Sequence, residues 1–137
     1  MNRLLFIILC LSFQCVNAQQ LDYSLLNKAN GLSVNSVLNI CQDQDGFLWA
    51  GTIYGLNRYD GNSCTQYFIE DGLNSNFITW VSTDSKGTLW VGTNKGVNQF
   101  YQNQFITIPV QENSPYSKEI LIIKELNNQL YMGAKDG

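Results

Sequence analysis

Beyond residue 30 the apolar residues come in short runs, such as Phe47-Leu48-Trp49-Ala50, Leu89-Trp90-Val91 and Phe105-Ile106, and Gly, Asn or Asp punctuates the intervals between them. Runs of this length between turn-forming residues predict β-strands. In residues 31–71 the pattern predicts an inner strand at Ser36 to Gln42, a turn at Asp43 to Gly46, and a second strand at Phe47 to Thr52. A turn ending at Gly55, a third strand at Leu56 to Tyr59, a turn at Asp60 to Ser63 and an outer strand at Cys64 to Ile69 complete the set. The same four strands return as "NFITWVS", "TLWVGT", "VNQFY" and "QFITIPV".

The recurrence is a repeat. Residues 31–60 align without a gap on residues 72–101, a period of 41, with eleven of thirty positions identical. The shared positions include Gly46 with Gly87, Trp49 with Trp90, Gly51 with Gly92 and Gly55 with Gly96. A third copy begins with "NNQLYMGAKDG", where Asn128 takes the Gly87 position and Tyr131 the Trp90 position. A period of about 40 to 45 residues made of short strands is that of a β-propeller blade, one four-stranded antiparallel sheet. The expected fold is therefore all-β, a propeller fragment of about two and a half blades.

The repeat assigns mechanical roles. Gly46, Gly87 and Asn128 sit where a hairpin needs positive φ. Trp49 and Trp90 are of a size to fill the wedge between blades, and Gly51 and Gly92 allow neighbouring chain to approach closely. Cys41 on an inner strand and Cys64 on the outer strand of one blade lie about three strand spacings apart, or ~14 Å. A disulfide needs Cα atoms within about 7 Å, so two unpaired thiols are expected.

The first residues follow a different pattern. Arg3, the apolar run Leu4 to Phe13 and the small residue Ala18 read as a secretory signal peptide at residues 1–18. Residues 19–30 form an N-terminal segment in which "YSLL", 23–26, falls one period ahead of Cys64 to Tyr67 and is expected to be the outer strand of a different, ring-closing blade. Blade one then covers 31–71, blade two 72–112, and an incomplete blade three 113–137. Closed rings need at least about four blades, so the chain is expected to be the beginning of a longer protein.

The elements Asn35-Ser36-Val37, Asp43 with Asp45-Gly46, Leu48-Trp49, Gly51-Thr52 and Gly55-Leu56-Asn57-Arg58-Tyr59 resemble the two-component regulator propeller repeat. The second copy matches through Asn76, Asp84, Gly87, Leu89-Trp90, Gly92-Thr93 and Gly96-Val97-Asn98, while the third departs with Tyr131 for Trp and Ala134 for Thr. The resemblance implies the periplasmic sensor half of a hybrid two-component system: many such repeats, an immunoglobulin-like domain, a membrane span and a cytoplasmic histidine kinase. Many members detect oligosaccharides. The alternatives kept open are an exported propeller that only binds or scaffolds, and a propeller polysaccharide lyase or hydrolase.

Charge and composition narrow the chemistry. The chain carries 8 Lys and Arg against 11 Asp and Glu, a net charge of −3 that becomes one unit more negative without Arg3. No nucleic-acid partner is expected for such a segment, since that needs clustered positive charge. The absence of histidine rules out a Ser-His-Asp set or a phospho-accepting histidine within these residues. "DQDG" at 43–46 lacks the further ligands of a calcium loop, and its counterpart "DSKG" places Lys86 where a second acid belongs. "STDSKGTLW" resembles a sialidase Asp-box with one residue too many, and a sialidase needs several arginines where the chain beyond the leader has only Arg58. No catalytic residue, metal or cofactor is assigned.

If a ligand binds, the loops entering the inner strands and those joining second to third strands form one face, presenting Asn30, Tyr54, Asn74, Asn94 and Lys95. Amides and an aromatic ring suit sugar hydroxyls and ring faces. The expected partners are a small-molecule or oligosaccharide ligand, the remaining blades of the same chain and, at full length, a second copy in a homodimer. Membrane contact is expected only through a downstream region.

Overall fold

The computed structural model describes residues 23–109 and 118–135. The expected leader and the expected boundary at residue 112 lie outside them. The strands are β1 (Val37–Gln42), β2 (Leu48–Thr52), β3 (Gly55–Tyr59), β4 (Cys64–Tyr67), β5 (Ile78–Thr83), β6 (Leu89–Thr93), β7 (Gly96–Tyr101), β8 (Gln104–Ile108), β9 (Ile120–Leu126) and β10 (Gln129–Ala134). They form two four-stranded sheets, β1-β2-β3-β4 and β5-β6-β7-β8, and a two-stranded sheet of β9 and β10. Every pairing is antiparallel between strands consecutive in sequence, so each sheet is a meander. The fold is that of propeller blades, as the period requires.

Local chemistry sets the strand ends. Gly46 and Gly87 take φ of 89° and 81° in their hairpins, a region that costs a Cβ-bearing residue about 1 kcal/mol. The third hairpin is tighter: Asn127 and Asn128, at φ 51° and 61°, form a two-residue turn between β9 and β10. The outer strand expected to reach Ile69 stops at Tyr67, because Ile69–Asp71 winds into a 3-10 turn. That turn is held by the Asp71 carboxylate on Phe68 N (2.8 Å) and by Asn76 Oδ1 on Ile69 N (2.8 Å). Residues 23–26, expected as an outer strand, pair with no strand among the described residues. A strand exists only beside a hydrogen-bonding neighbour, and no described sheet supplies one; Tyr23 is 86% exposed.

The core lies between sheets. Trp49 is 1% exposed, stacked on Tyr67 with ring centroids 5.7 Å apart and edge-on to Phe100 at 5.2 Å. It packs with Leu56 of its own blade and with Leu73, Ile78, Val81, Leu89, Val91 and Phe105 of the next. Burial of about 150–250 Å² by such a ring corresponds to roughly 4–6 kcal/mol at most. Trp90 repeats the role one blade on, packed against Val97, Ile120 and Ile123. A Cβ on Gly51 would stand 2.8 Å from Ile78 Cγ2, so the absent side chain lets β2 meet β5.

The inner strands carry a repeated bulge, between Val37 and Asn39 in β1 and between Ile78 and Trp80 in β5. The bulged strands bond the next blade: Asn39 Oδ1 accepts from Val81 N at 2.8 Å, and Trp80 Nε1 donates to Ile123 O at 3.1 Å. Cys41 and Cys64 are free thiols, in agreement with their strand positions.

Candidate functional site

The candidate face is built by polar clamps on the connectors that precede each blade. Residues 31–36 cross blade one from its outer edge to its inner edge. Gln66 Nε2 of β4 donates to Gly31 O (2.8 Å), Asn57 Oδ1 of β3 accepts from Ser33 N (2.8 Å), and Ser33 Oγ lies 3.1 Å from Thr52 Oγ1 of β2. Residues 72–77 cross blade two in the same way. Gly72 abuts Phe105 of β8, Asn98 Oδ1 of β7 accepts from Asn74 N (3.1 Å), and Thr93 Oγ1 of β6 meets Asn74 Oδ1 (2.7 Å). Asn57, Asn98, Thr52 and Thr93 are buried, and each has hydrogen-bond partners, as buried polar groups require.

The same threonines shape the turns between second and third strands. Thr52 Oγ1 donates to Gly55 O (2.7 Å) and accepts from Tyr54 N (3.0 Å); Thr93 Oγ1 relates to Gly96 O (3.1 Å) and Lys95 N (3.0 Å) identically. One hydroxyl proton on Thr93 cannot serve both Gly96 O and Asn74 Oδ1 at once. Exchanging oxygen and nitrogen in the Asn74 amide resolves this: the amide donates to Thr93 Oγ1, which leaves the hydroxyl proton for Gly96 O.

Of the five residues singled out from the sequence, three come together on blade two. Asn74 is joined to the Asn94-Lys95 turn through Thr93, and Ser75 Oγ donates to Asn94 Oδ1 at 2.6 Å; Asn94 and Lys95 are exposed. Tyr54 occupies the matching turn of blade one, 58% exposed, its ring 5.6 Å from Phe68. Gly55 N donates to Asn76 O (2.6 Å), which ties the Tyr54 turn to the blade-two connector. Asn30 behaves differently. It sits in the 3-10 turn Lys28–Asn30, its Oδ1 accepting from Asn27 N (2.6 Å) and its Nδ2 donating to Leu25 O (2.6 Å), so its amide is committed within that turn.

The opposite end of the blades carries an interaction that turn reasoning missed. Asp43 Oδ1 accepts from Asp45 N (3.1 Å) and Phe47 N (2.9 Å), and Oδ2 from Trp49 Nε1 (2.6 Å). Asp84 does the same with Lys86 N, Thr88 N and Trp90 Nε1 (3.0 Å). Burial pushes Asp84 up, but the Trp90 indole and the Thr88 and Lys86 amides outweigh it and hold the carboxyl below its ordinary value. Each acid thus closes its hairpin and orients the inter-blade indole. The identity of Asp43 with Asp84, and of Asn57 with Asn98, was the sequence signal for these clamps. Nearby, burial and secondarily Asp43 push the Cys41 thiol up to about 11, so it stays protonated at neutral pH.

Comparison with known proteins agrees with this architecture. The model of the two component regulator propeller matches residues 31–54 and 72–95, the connector through the Thr-centred turn of each complete blade. A histidine kinase of Formosa agariphila is 38% identical over 64 residues, which are 47% of this chain and 5% of that protein. The extracellular domain of a putative hybrid two-component system from B. thetaiotaomicron superposes with a TM-score of 0.71 at 28% identity, over 80% of this chain and 17% of that one. The extracellular domain of a one-component system from the same organism matches in fold, with a TM-score of 0.66 at 20% identity, over 85% of this chain and 15% of that one. The chain therefore spans a small part of the length of the proteins it matches.

Proposed function

With two-component regulator propeller repeats as its two complete blades, this chain is, we propose, the N-terminal part of an exported, periplasmic sensor propeller whose ligand is an oligosaccharide. The observation that carries the reading is the paired match at one period, 31–54 and 72–95, in blades whose repeated clamps hold the connector and the β2–β3 turn together. The segment itself is non-catalytic in this reading. Output belongs to a membrane-linked kinase elsewhere in the protein, and a ligand acts by binding one of two propeller arrangements more tightly than the other.

The face bearing Tyr54, Asn94 and Lys95 supports ligand contact: an exposed ring on the blade-one turn and exposed amide and ammonium groups on the matching blade-two turn, both turns fixed by buried threonines. Such turns are pre-organised, so little ordering cost opposes binding. The test is calorimetric titration of the intact protein with a panel of oligosaccharides, alongside Tyr54→Ala and Lys95→Ala. Binding that weakens about tenfold or more in either variant supports the assignment. Full-strength binding in both variants moves the ligand elsewhere, and release of shortened products from the panel replaces the sensor with an enzyme.

A further inference from the structure

Arg58 stands on β3 directly across from Trp49, on the side of blade one that faces blade two. Its guanidinium carbon lies 3.5 Å from the centroid of the Phe47 ring and 5.5 Å from that of Trp49. Stacking occupies the flat face of the guanidinium and leaves its edge N–H groups as the donors for a partner. Arg58 Nε is buried without a partner. Among the described residues the ion pair is between Lys135 and Glu119, so no described carboxylate neutralises Arg58.

Two of the nearby acids are committed to their own turns, while Asp45 shares a cleft with Arg58 outside ion-pair distance. Asp43 spends its oxygens on Asp45 N, Phe47 N and Trp49 Nε1, and Asp60 on Asn62 N, Ser63 N and Ser63 Oγ. This cleft of about 200 Å³ opens at the seam of the two complete blades, lined by Arg58, Asp43 and Asp45 from blade one and by Lys86 and Asn103 from blade two. It is smaller than the pockets of about 300–1,000 Å³ that enclose a drug-sized ligand. That size suits a single charged unit.

We propose that this cleft binds the carboxylate of an acidic sugar, with the Arg58 edge as a bidentate donor and Lys86 as a second cation. The planar carboxylate matches the guanidinium fork, and its single charge is repelled less than a doubly charged phosphate by Asp43 and Asp45, which also border the cleft. The two complete blades differ at this position: the residue of the second blade that corresponds to Arg58 is Gln99. The sugar character rests on the reading of the protein as an oligosaccharide sensor; the carboxylate character rests on Arg58 and Lys86.

The experiment is titration of the intact protein with glucuronate, and with glucose as the neutral control, for the natural sequence, Arg58→Gln and Arg58→Lys. Gln99 shows that a blade accepts glutamine at this position, and circular dichroism checks that each variant is folded. Glucuronate is expected to bind, about tenfold or more weakly in Arg58→Gln and to an intermediate degree in Arg58→Lys, with affinity falling as salt rises. Equal binding of glucose, unchanged binding in Arg58→Gln, or no glucuronate binding overturns the proposal. If Arg58→Gln does not fold, the glucuronate and glucose comparison on the natural sequence decides. Failure of the sensor reading looks different: glucuronate binds through Arg58 while no oligosaccharide of the panel responds to Tyr54→Ala or Lys95→Ala.

Discussion

Gly51→Ala tests whether the blades are packed as closely as the structure places them. Gly51 is mid-strand in β2 and outside the positive-φ region, so on backbone grounds alanine is the better residue, by about 0.5–1 kcal/mol. The surroundings say the opposite. The new Cβ would lie 2.8 Å from Ile78 Cγ2, 3.4 Å from Ile78 Cβ and 3.6 Å from Val81 Cγ1. Ile78 is fully buried and β-branched, so its methyl cannot swing aside cheaply. Overpacking of this kind costs about 1–3 kcal/mol, which after the backbone gain leaves a net loss of up to roughly 2.5 kcal/mol. Urea unfolding of the intact propeller measures it as a lower midpoint at constant slope. The clash also predicts coupling. Ile78→Ala alone costs about 2–5 kcal/mol, and the double variant is expected to fall short of the sum by about 1 kcal/mol or more, because the methyl group added at position 51 then occupies vacated space. A Gly51→Ala protein more stable than the natural one refutes the close approach of β2 to β5, since the backbone term would then act without a clash.

Further expectations follow from the same contacts. Trp49→Ala removes the ring shared by two blades and is expected to cost about 3–5 kcal/mol in the same urea assay, a loss under about 1 kcal/mol arguing against an inter-blade core. Asn98→Ala strips the partner of Asn74 N and of Thr107 Oγ1, and should raise hydrogen exchange at the Asn74 amide more than at Trp90, whose contacts it leaves intact. Asp84 is held below its ordinary value of 3.8 in the folded state, so its stabilisation is present above that value and is lost as the pH falls through the lower folded one. Asp84→Asn should therefore flatten the loss of stability below about pH 4, and an unchanged acid limb contradicts the Asp–Trp clamp. Cys41, pushed up to about 11, should alkylate far more slowly at pH 8 in the native protein than in urea, with no Cys41–Cys64 bond by non-reducing mass spectrometry. Residues 19–137 expressed alone should be poorly soluble or unfold non-cooperatively, since Ile40 (59% exposed) and Tyr131 (52%) lie on open blade faces; a sharp single transition in a monomer contradicts this.

The period, the strand order and the inter-blade tryptophans were all legible in the sequence, because each follows from local rules. Short apolar runs between Gly and Asn give strands, and identity at Gly46 with Gly87 and Trp49 with Trp90 gives the register of one blade on the next. The free thiols followed from strand position alone. What local rules could not supply was partnership between residues far apart in the chain. The tail of the predicted outer strand became a 3-10 turn because Asn76, seven residues on, caps Ile69. Asn57 and Asn98 are strand residues in the sequence pattern, and only the structure shows the connector, 24 residues upstream in each copy, threading past their amides. Asn30 and Asn74 were equal candidates by composition, yet one amide closes on its own turn and the other joins the Asn94-Lys95 turn through Thr93.

Arg58 shows the division most clearly. In sequence it is one charge within "GLNRYDG"; in the structure it is a half-buried cation, stacked on Phe47, while Asp43 and Asp60 accept hydrogen bonds within their own turns. A repeat can be read from sequence because strand pairing and turn geometry are properties of adjacent residues. Which polar groups are spent inside the fold and which are left to meet a ligand is decided by packing between blades, where residues separated by one whole period come within a few ångströms of each other.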